Sequence, residues 1–186
     1  MDTFLPKAYL IGLTGLLVIV AALVGRQLLK VRRDEVNLIK LEKGGASASK
    51  DAAELYELAS VQLRKRLYPQ ATSSLRKALK RLDNEPNEAK ALIENALGFA
   101  LAAQEEFEAA VGHYKTAIKT KPDYPVALNN LAFAKQRLEQ EDEALKLYKE
   151  ALSIDPKNKT AAKQIQQLEK KSKNKLETRE DGRGGF

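Results

Sequence analysis

The chain of 186 residues has no cysteine, no tryptophan, one histidine and one methionine, and only 6% of it is aromatic. Without cysteine there are no disulfides, no thiol chemistry and no cysteine-ligated metal, a usage that suits a reducing compartment. The lone His113 has no second ligand-like neighbour and so builds no zinc site. Next to Tyr114, it reads as a surface or half-buried packing residue. No nucleophile elbow, phosphate-cradling glycine loop or acid–base pair stands out. The chain is therefore expected to be no enzyme, with no catalytic residues, no cofactor, no metal and no small-molecule substrate.

Charge is unevenly distributed. The formal net charge is +7, which on its own suggests nucleic acid. Residues 52–158, however, hold 16 basic and 16 acidic side chains. The excess lies on either side, in residues 26–51 and 159–186. No basic stripe interleaved with aromatics appears, so no nucleic-acid partner is expected. Basic residues near an anionic leaflet are instead worth about 1 kcal/mol each.

One long hydrophobic run is present. Residues 8–25, AYLIGLTGLLVIVAALVG, carry no charge. As a helix they rise about 27 Å, close to the hydrocarbon thickness of a bilayer. A cleaved signal sequence is the alternative, with Val20 and Ala22 as a small-residue cleavage site, but its apolar region usually spans about 7–15 residues behind a basic start. Here only Lys7 precedes the run, and Arg26, Lys30, Arg32 and Arg33 follow it. That asymmetry predicts an uncleaved single-pass anchor, with residues 1–7 outside and the rest on the cytoplasmic or stromal side. Residues 26–43 are expected to continue as a basic juxtamembrane helix. GGASASK at 44–50 is a flexible linker composition with a reach of ~15 Å.

Beyond the linker the chain repeats itself. Residues 91–124 and 125–158 align without a gap, placing Gly98 over Ala132, Ala110 over Ala144, Tyr114 over Tyr148 and Pro122 over Pro156. Small residues at Gly98, Ala110, Ala132 and Ala144 let paired helices approach closely. Tyr114 and Tyr148 fill the space between helices, and Pro122 and Pro156 stop the second helix of each pair. A 34-residue period with these slots is the tetratricopeptide helix–turn–helix signature. A weaker copy at 52–85 aligns through Ala71, Leu75 and Ala78; its terminal slot holds Asp83, and Pro86 comes late. Residues 159–170 carry Ala162, Ile165 and Leu168 at helical spacing, as a capping helix requires. The end, 171–186, is polar and glycine-bearing and is expected to be disordered. The fold expected is all-α: one transmembrane helix plus an α-solenoid of three repeats with a C-terminal cap.

In such a stack the first helices line the inner surface. The side chains expected there for partner binding are Tyr56, Asn95, Phe99, Asn129, Asn130, Phe133 and Arg137, with Leu92, Ala96, Ala103 and Val126 beside them and Ser60, Leu63 and Arg64 from the first repeat. They combine apolar rings with amides able to hydrogen-bond a peptide backbone. Repeats that grip the terminal carboxylate of heat-shock chaperones place basic and asparagine residues at set inward slots. Here those slots hold Tyr56, Ser60, Ala96 and Val126, and only Asn130 and Arg137 could contribute an amide or a charge, so a carboxylate clamp of several charge-assisted bonds is not expected.

The layout of anchor, basic segment, Gly/Ser linker, three repeats and basic tail resembles the membrane-anchored tetratricopeptide photosystem I assembly proteins of cyanobacteria and algal plastids. The anchor AYLIGLTGLLVIVAALVG and the offset first repeat around YPQATSSLRKAL carry the resemblance beyond the generic repeat slots. It implies a thylakoid membrane scaffold with stromal or cytosolic repeats that binds photosystem I subunits or assembly intermediates. The alternative is a membrane-tethered adaptor in bacterial envelope biogenesis or protein translocation.

Overall fold

The computed structural model describes residues 4–45, 51–82 and 87–181. The chain divides into two compact units, Met1–Gly45 and Ala46–Phe186.

The first unit is one helix, α1 (Phe4–Lys43). Pro6 falls in its first turn, where a missing N–H costs nothing, and no break separates 8–25 from 26–43. Thr14, the only threonine or serine in the apolar run, returns its hydrogen bond to the carbonyls of Leu10 and Ile11 at 3.0 and 2.9 Å. The helix ends at a glycine pair: Gly44 N–H reaches Lys40 O at 2.8 Å and Gly45 takes φ +78°, a backbone only glycine adopts freely. The helix is long and apolar enough to cross a membrane. Its large apolar side chains from Tyr9 to Val31 are exposed.

The described residues of the second unit form helices joined by short turns, with no strand among them. Three antiparallel pairs follow one another: α2 (Ala52–Arg64) with α3 (Tyr68–Leu79), α4 (Asn87–Ala102) with α5 (Phe107–Thr120), and α6 (Pro125–Arg137) with α7 (Glu141–Ile154). A final helix, α8 (Lys159–Asp181), packs on α7. Each helix packs chiefly on its neighbours in sequence, as a solenoid does.

The turn inside each pair has one geometry. Arg66, Glu105 and Glu139 hold φ of 60°, 66° and 61°. Their N–H groups reach the carbonyls of Leu63, Ala102 and Gln136 at 3.0, 3.1 and 3.1 Å. The next N–H in each case, on Leu67, Glu106 and Gln140, reaches back to Gln62, Leu101 and Lys135 at 2.9, 3.0 and 2.9 Å. These two bonds make a Schellman cap, which satisfies the last carbonyls of the first helix. The weaker first repeat thus turns in the same register as its siblings.

Between the helices the small slots work by contact. Gly98 sits against Tyr114, whose ring carbon Cε1 lies 2.7 Å from where a Cβ would stand. Tyr114 and Tyr148 are each 1% exposed, and Ala59, Ala110, Ala132 and Ala144 are fully buried. Burial pushes the Tyr114 hydroxyl far above its ordinary range and the Tyr148 hydroxyl up to about 12. α5 and α7 stop at Thr120 and Ile154, two residues short of Pro122 and Pro156.

Two boundaries and the buried face of the cap differ from expectation. α4 begins at Asn87 rather than Ala91, because nothing in Asn-Glu-Ala-Lys breaks a helix and Lys121 ties its first turn through Glu88 at 3.0 Å. The capping helix runs past Lys170 to Asp181, so residues 171–181 are helical rather than disordered. That stretch lacks glycine and proline and is rich in strong helix formers. Growing onto an already docked helix, it avoids the cost of nucleation. Lys149 pairs with Glu169 at 2.8 Å, and Lys171 with Glu141, holding α8 to α7. The cap's buried positions are Ala161 and Leu168, with Ile165 half-buried; Ala162 is exposed. Residues 1–3, 46–50, 83–86 and 182–186, with Asp83, Pro86, most of the linker and the end of the tail, lie outside the described residues.

Candidate protein-binding groove

α4 and α6 each present two large apolar side chains to solvent, seven residues apart and therefore on one side of the helix. Leu92 and Phe99 are 42% and 44% exposed, and Val126 and Phe133 are 53% and 46% exposed. Among the described large apolar residues of the second unit, only Ile154 is comparably exposed elsewhere. The two pairs occupy matching slots of successive repeats, so they form a stripe across the first helices.

At the C-terminal end of this stripe lies a cleft of about 500 Å³. Phe99, Asn129, Asn130, Phe133 and Arg137 all line it, with Phe107 from α5 and Thr160 and Gln164 from α8. Five of the seven expected groove residues are thus brought together. Tyr56 instead lines a separate small apolar pocket of about 120 Å³ with Leu92 and Ile93. Asn95 lies between the two. Of the flanking residues, Ala103 lines the cleft, whereas Ala96 is 8% exposed and belongs to the core.

The amides are more engaged than the sequence suggested. Asn130 Nδ2 donates to Asn95 Oδ1 at 2.9 Å, and Asn95 Nδ2 donates to the Tyr124 hydroxyl at 3.2 Å. Burial raises the Tyr124 hydroxyl above its ordinary range, and the Asn95 bond works against that rise. In the next repeat Asn129 Nδ2 donates to Asn158 Oδ1 at 3.1 Å. That same oxygen caps α8 by accepting from Ala161 N–H at 3.0 Å. Asn95 and Asn129 therefore play one part in successive repeats: each ties its helix to the residue that ends the repeat. The Oδ1 of Asn129 is buried without a partner. Turning the amide over would set two oxygens against each other, because Asn158 Oδ1 is held by its capping bond.

Arg137 is positioned by aromatics. Its guanidinium lies 5.2 Å above the Phe107 ring, in the range of a cation–π contact. Phe107 in turn meets Phe133 edge-on, with centroids 6.4 Å apart at 70°. Phe107 was not legible as a site residue, because its slot holds Tyr68 in the first repeat and Glu141 in the third. Away from the groove, His113 Nδ1 lies 2.7 Å from Glu94 Oε2, which links α5 to α4 as a packing pair. Among the described residues no cluster of potential ligands could hold a metal ion.

Two family models match the repeats: a TPR repeat model over residues 98–139 and a tetratricopeptide repeat model over residues 125–158. Solved structures give the fold alone. The crystal structure of MamA protein matches with a TM-score of 0.66 at 20% identity, covering 77% of this chain and 76% of that one. The first TPR domain of Spaghetti (RPAP3), bound to an HSP90 peptide, matches with a TM-score of 0.60 at 20% identity over 66% of this chain and 93% of that one. The chloroplastic tetratricopeptide repeat domain-containing protein PYG7 of Arabidopsis thaliana is 32% identical over 83% of this chain. The chain spans only 51% of that relative's length. The ycf37 protein of Cyanophora paradoxa is 30% identical over 91% of this chain and 98% of its own length. The ycf37 protein of Guillardia theta is 27% identical over 90% and 94%. With helix-turn-helix repeats, an apolar leading helix and a relative matched almost end to end, the chain belongs to the ycf37 family of tetratricopeptide-repeat proteins.

Proposed function

We propose that this protein is a membrane-anchored scaffold that holds photosystem I subunits or assembly intermediates while neighbouring subunits join. α1 spans the thylakoid membrane through residues 8–25, and the repeats face the stroma or cytoplasm. The apolar stripe of Leu92, Phe99, Val126 and Phe133 carries the binding half of this reading. A repeat domain with nothing to bind has little reason to leave matched apolar side chains uncovered on successive helices. The photosystem half extends the resemblance of the whole layout, and the chloroplast and plastid relatives support it. Anchoring raises the effective concentration of the groove toward nascent membrane complexes.

The test is affinity purification of the full-length protein from gently solubilised native membranes, followed by mass spectrometry. Enrichment of photosystem I over photosystem II subunits is expected. Translocation or envelope proteins without photosystem enrichment would sink the assignment.

A further inference from the structure

The geometry points to a specific class of segment in the C-terminal cleft: an extended peptide carrying a large apolar or aromatic side chain with a carboxylate beside it. This rests on the scaffold reading and adds the chemistry of what is held.

Arg137 is the first reason. Its contact among the described residues is the Phe107 ring, and no described carboxylate lies within ion-pair distance of it. The Phe107 ring lies beside the guanidinium, and no hydrogen bond to the described residues occupies its N–H groups, which leaves them available for an acceptor. An Arg held this way loses little freedom when it engages a carboxylate in a two-point hydrogen bond. The second reason is the wall. Phe99, Phe107 and Phe133 line one cleft, and Phe99 and Phe133 keep nearly half of their surface uncovered. An aromatic side chain fits between rings at offset or edge geometry. The third is the polar remainder, Thr160 and Gln164 from the cap, which can meet a peptide backbone. Glu105 also lines the cleft. It disfavours a second acid at that wall, so the segment carries one carboxylate rather than an acidic run. Arg137, in the last turn of α6, is the single cation among the described residues that line the cleft, too few for the several charge-assisted bonds of a carboxylate clamp. The recognised acid is therefore a side chain within a segment, not a chain terminus.

The full-length chain, reconstituted in phosphatidylcholine nanodiscs, is used to select from a displayed library of random 12-residue peptides. Enrichment of an aromatic residue with Asp or Glu within about two positions is expected. For the best peptide, Arg137→Gln weakens binding about tenfold and removes most of its salt dependence. Phe133→Ala weakens it by a similar factor and leaves the salt dependence in place. Circular dichroism checks that each variant is folded. If either is not, changing the peptide's acid to Lys against the wild-type chain makes the same measurement and is expected to lose binding. Enriched peptides without an acid, affinity indifferent to Arg137→Gln or to the acid-to-Lys change, or no enrichment at all would overturn the inference. Because the library contains no photosystem sequence bias, these outcomes are independent of the co-purification. A selected motif without photosystem enrichment removes the photosystem reading only, and the reverse removes this inference only.

Discussion

A methyl group at position 98 and the ring of Tyr114 compete for the same space. Ala in place of Gly gains up to about 1 kcal/mol of helix propensity, whereas overpacking a tight contact costs about 1–3 kcal/mol. The clash decides the sign, because the ring lies 2.7 Å away and is 1% exposed. Gly98→Ala is therefore expected to lower the melting temperature by several degrees. The first repeat shows how the pair can be relieved: Ala59 and Leu75, both fully buried, occupy the matching slots. Gly98→Ala combined with Tyr114→Leu should be more stable than the sum of the two single effects, which a double-mutant cycle by thermal unfolding measures. The amides give a second contrast. Asn158→Ala removes both the α8 cap and the tie to Asn129, and is expected to cost about 1–2 kcal/mol. Asn129→Ala loses one hydrogen bond but also an orphaned buried oxygen, so the two effects offset each other. Denaturant melts that rank the two substitutions in the opposite order would contradict this account.

At the scale of the helix pair, the common feature is the left-handed residue between first and second helix. Arg66, Glu105 and Glu139 all adopt a backbone that costs a non-glycine residue about 1–2 kcal/mol. Glu139→Gly relieves that strain but loosens the unfolded chain by about 0.4–1 kcal/mol, so its melting temperature should match the parent's or rise by a few degrees. Glu139→Val places a β-branched side chain where it is a steric outlier and is expected to fall well below both. Equal melting temperatures for the two variants would show that the turn is not held in this conformation. The same scale shows how far the sequence could be read. The paired small residues, tyrosines and prolines are periodic, and periodicity located the repeats. The Schellman turns carry no glycine, so composition could not announce them. Phe107 escaped notice because its siblings are Tyr68 and Glu141, and a comparison of repeats sees only what repeats. The amide ties depend on how one pair of helices stacks on the next, a non-local geometry that spacing does not encode. The helix after Lys170 is not legible in the sequence, because its polar composition suits disorder in isolation, whereas here it continues a docked helix.

The two units of the chain differ in what they bury. The repeat unit buries its tyrosines, leucines and alanines within itself and exposes a short apolar stripe, as a water-soluble binding domain does. The leading helix buries none of its apolar window. Leaving a large aliphatic side chain in water rather than covering it costs about 1.5–3 kcal/mol, and α1 exposes Leu10, Ile11, Leu16, Leu17, Val18, Ile19 and more. That sum exceeds the whole stability of a typical domain, about 5–15 kcal/mol, so the helix needs a bilayer or another apolar cover. The repeats do not depend on it, because their core clusters draw on α2–α8 alone. Removing residues 1–45 is therefore expected to yield a soluble protein with cooperative helical unfolding, while the full-length chain stays in the membrane pellet after an alkaline wash. Protease added from the stromal or cytoplasmic side should then remove the repeats of the intact chain and leave a protected fragment containing residues 8–25. A full-length chain that washes off as a soluble monomer would mean the apolar helix is covered by something other than lipid. Protection of the repeats instead would place them on the opposite side and remove the route by which the groove meets stromal partners.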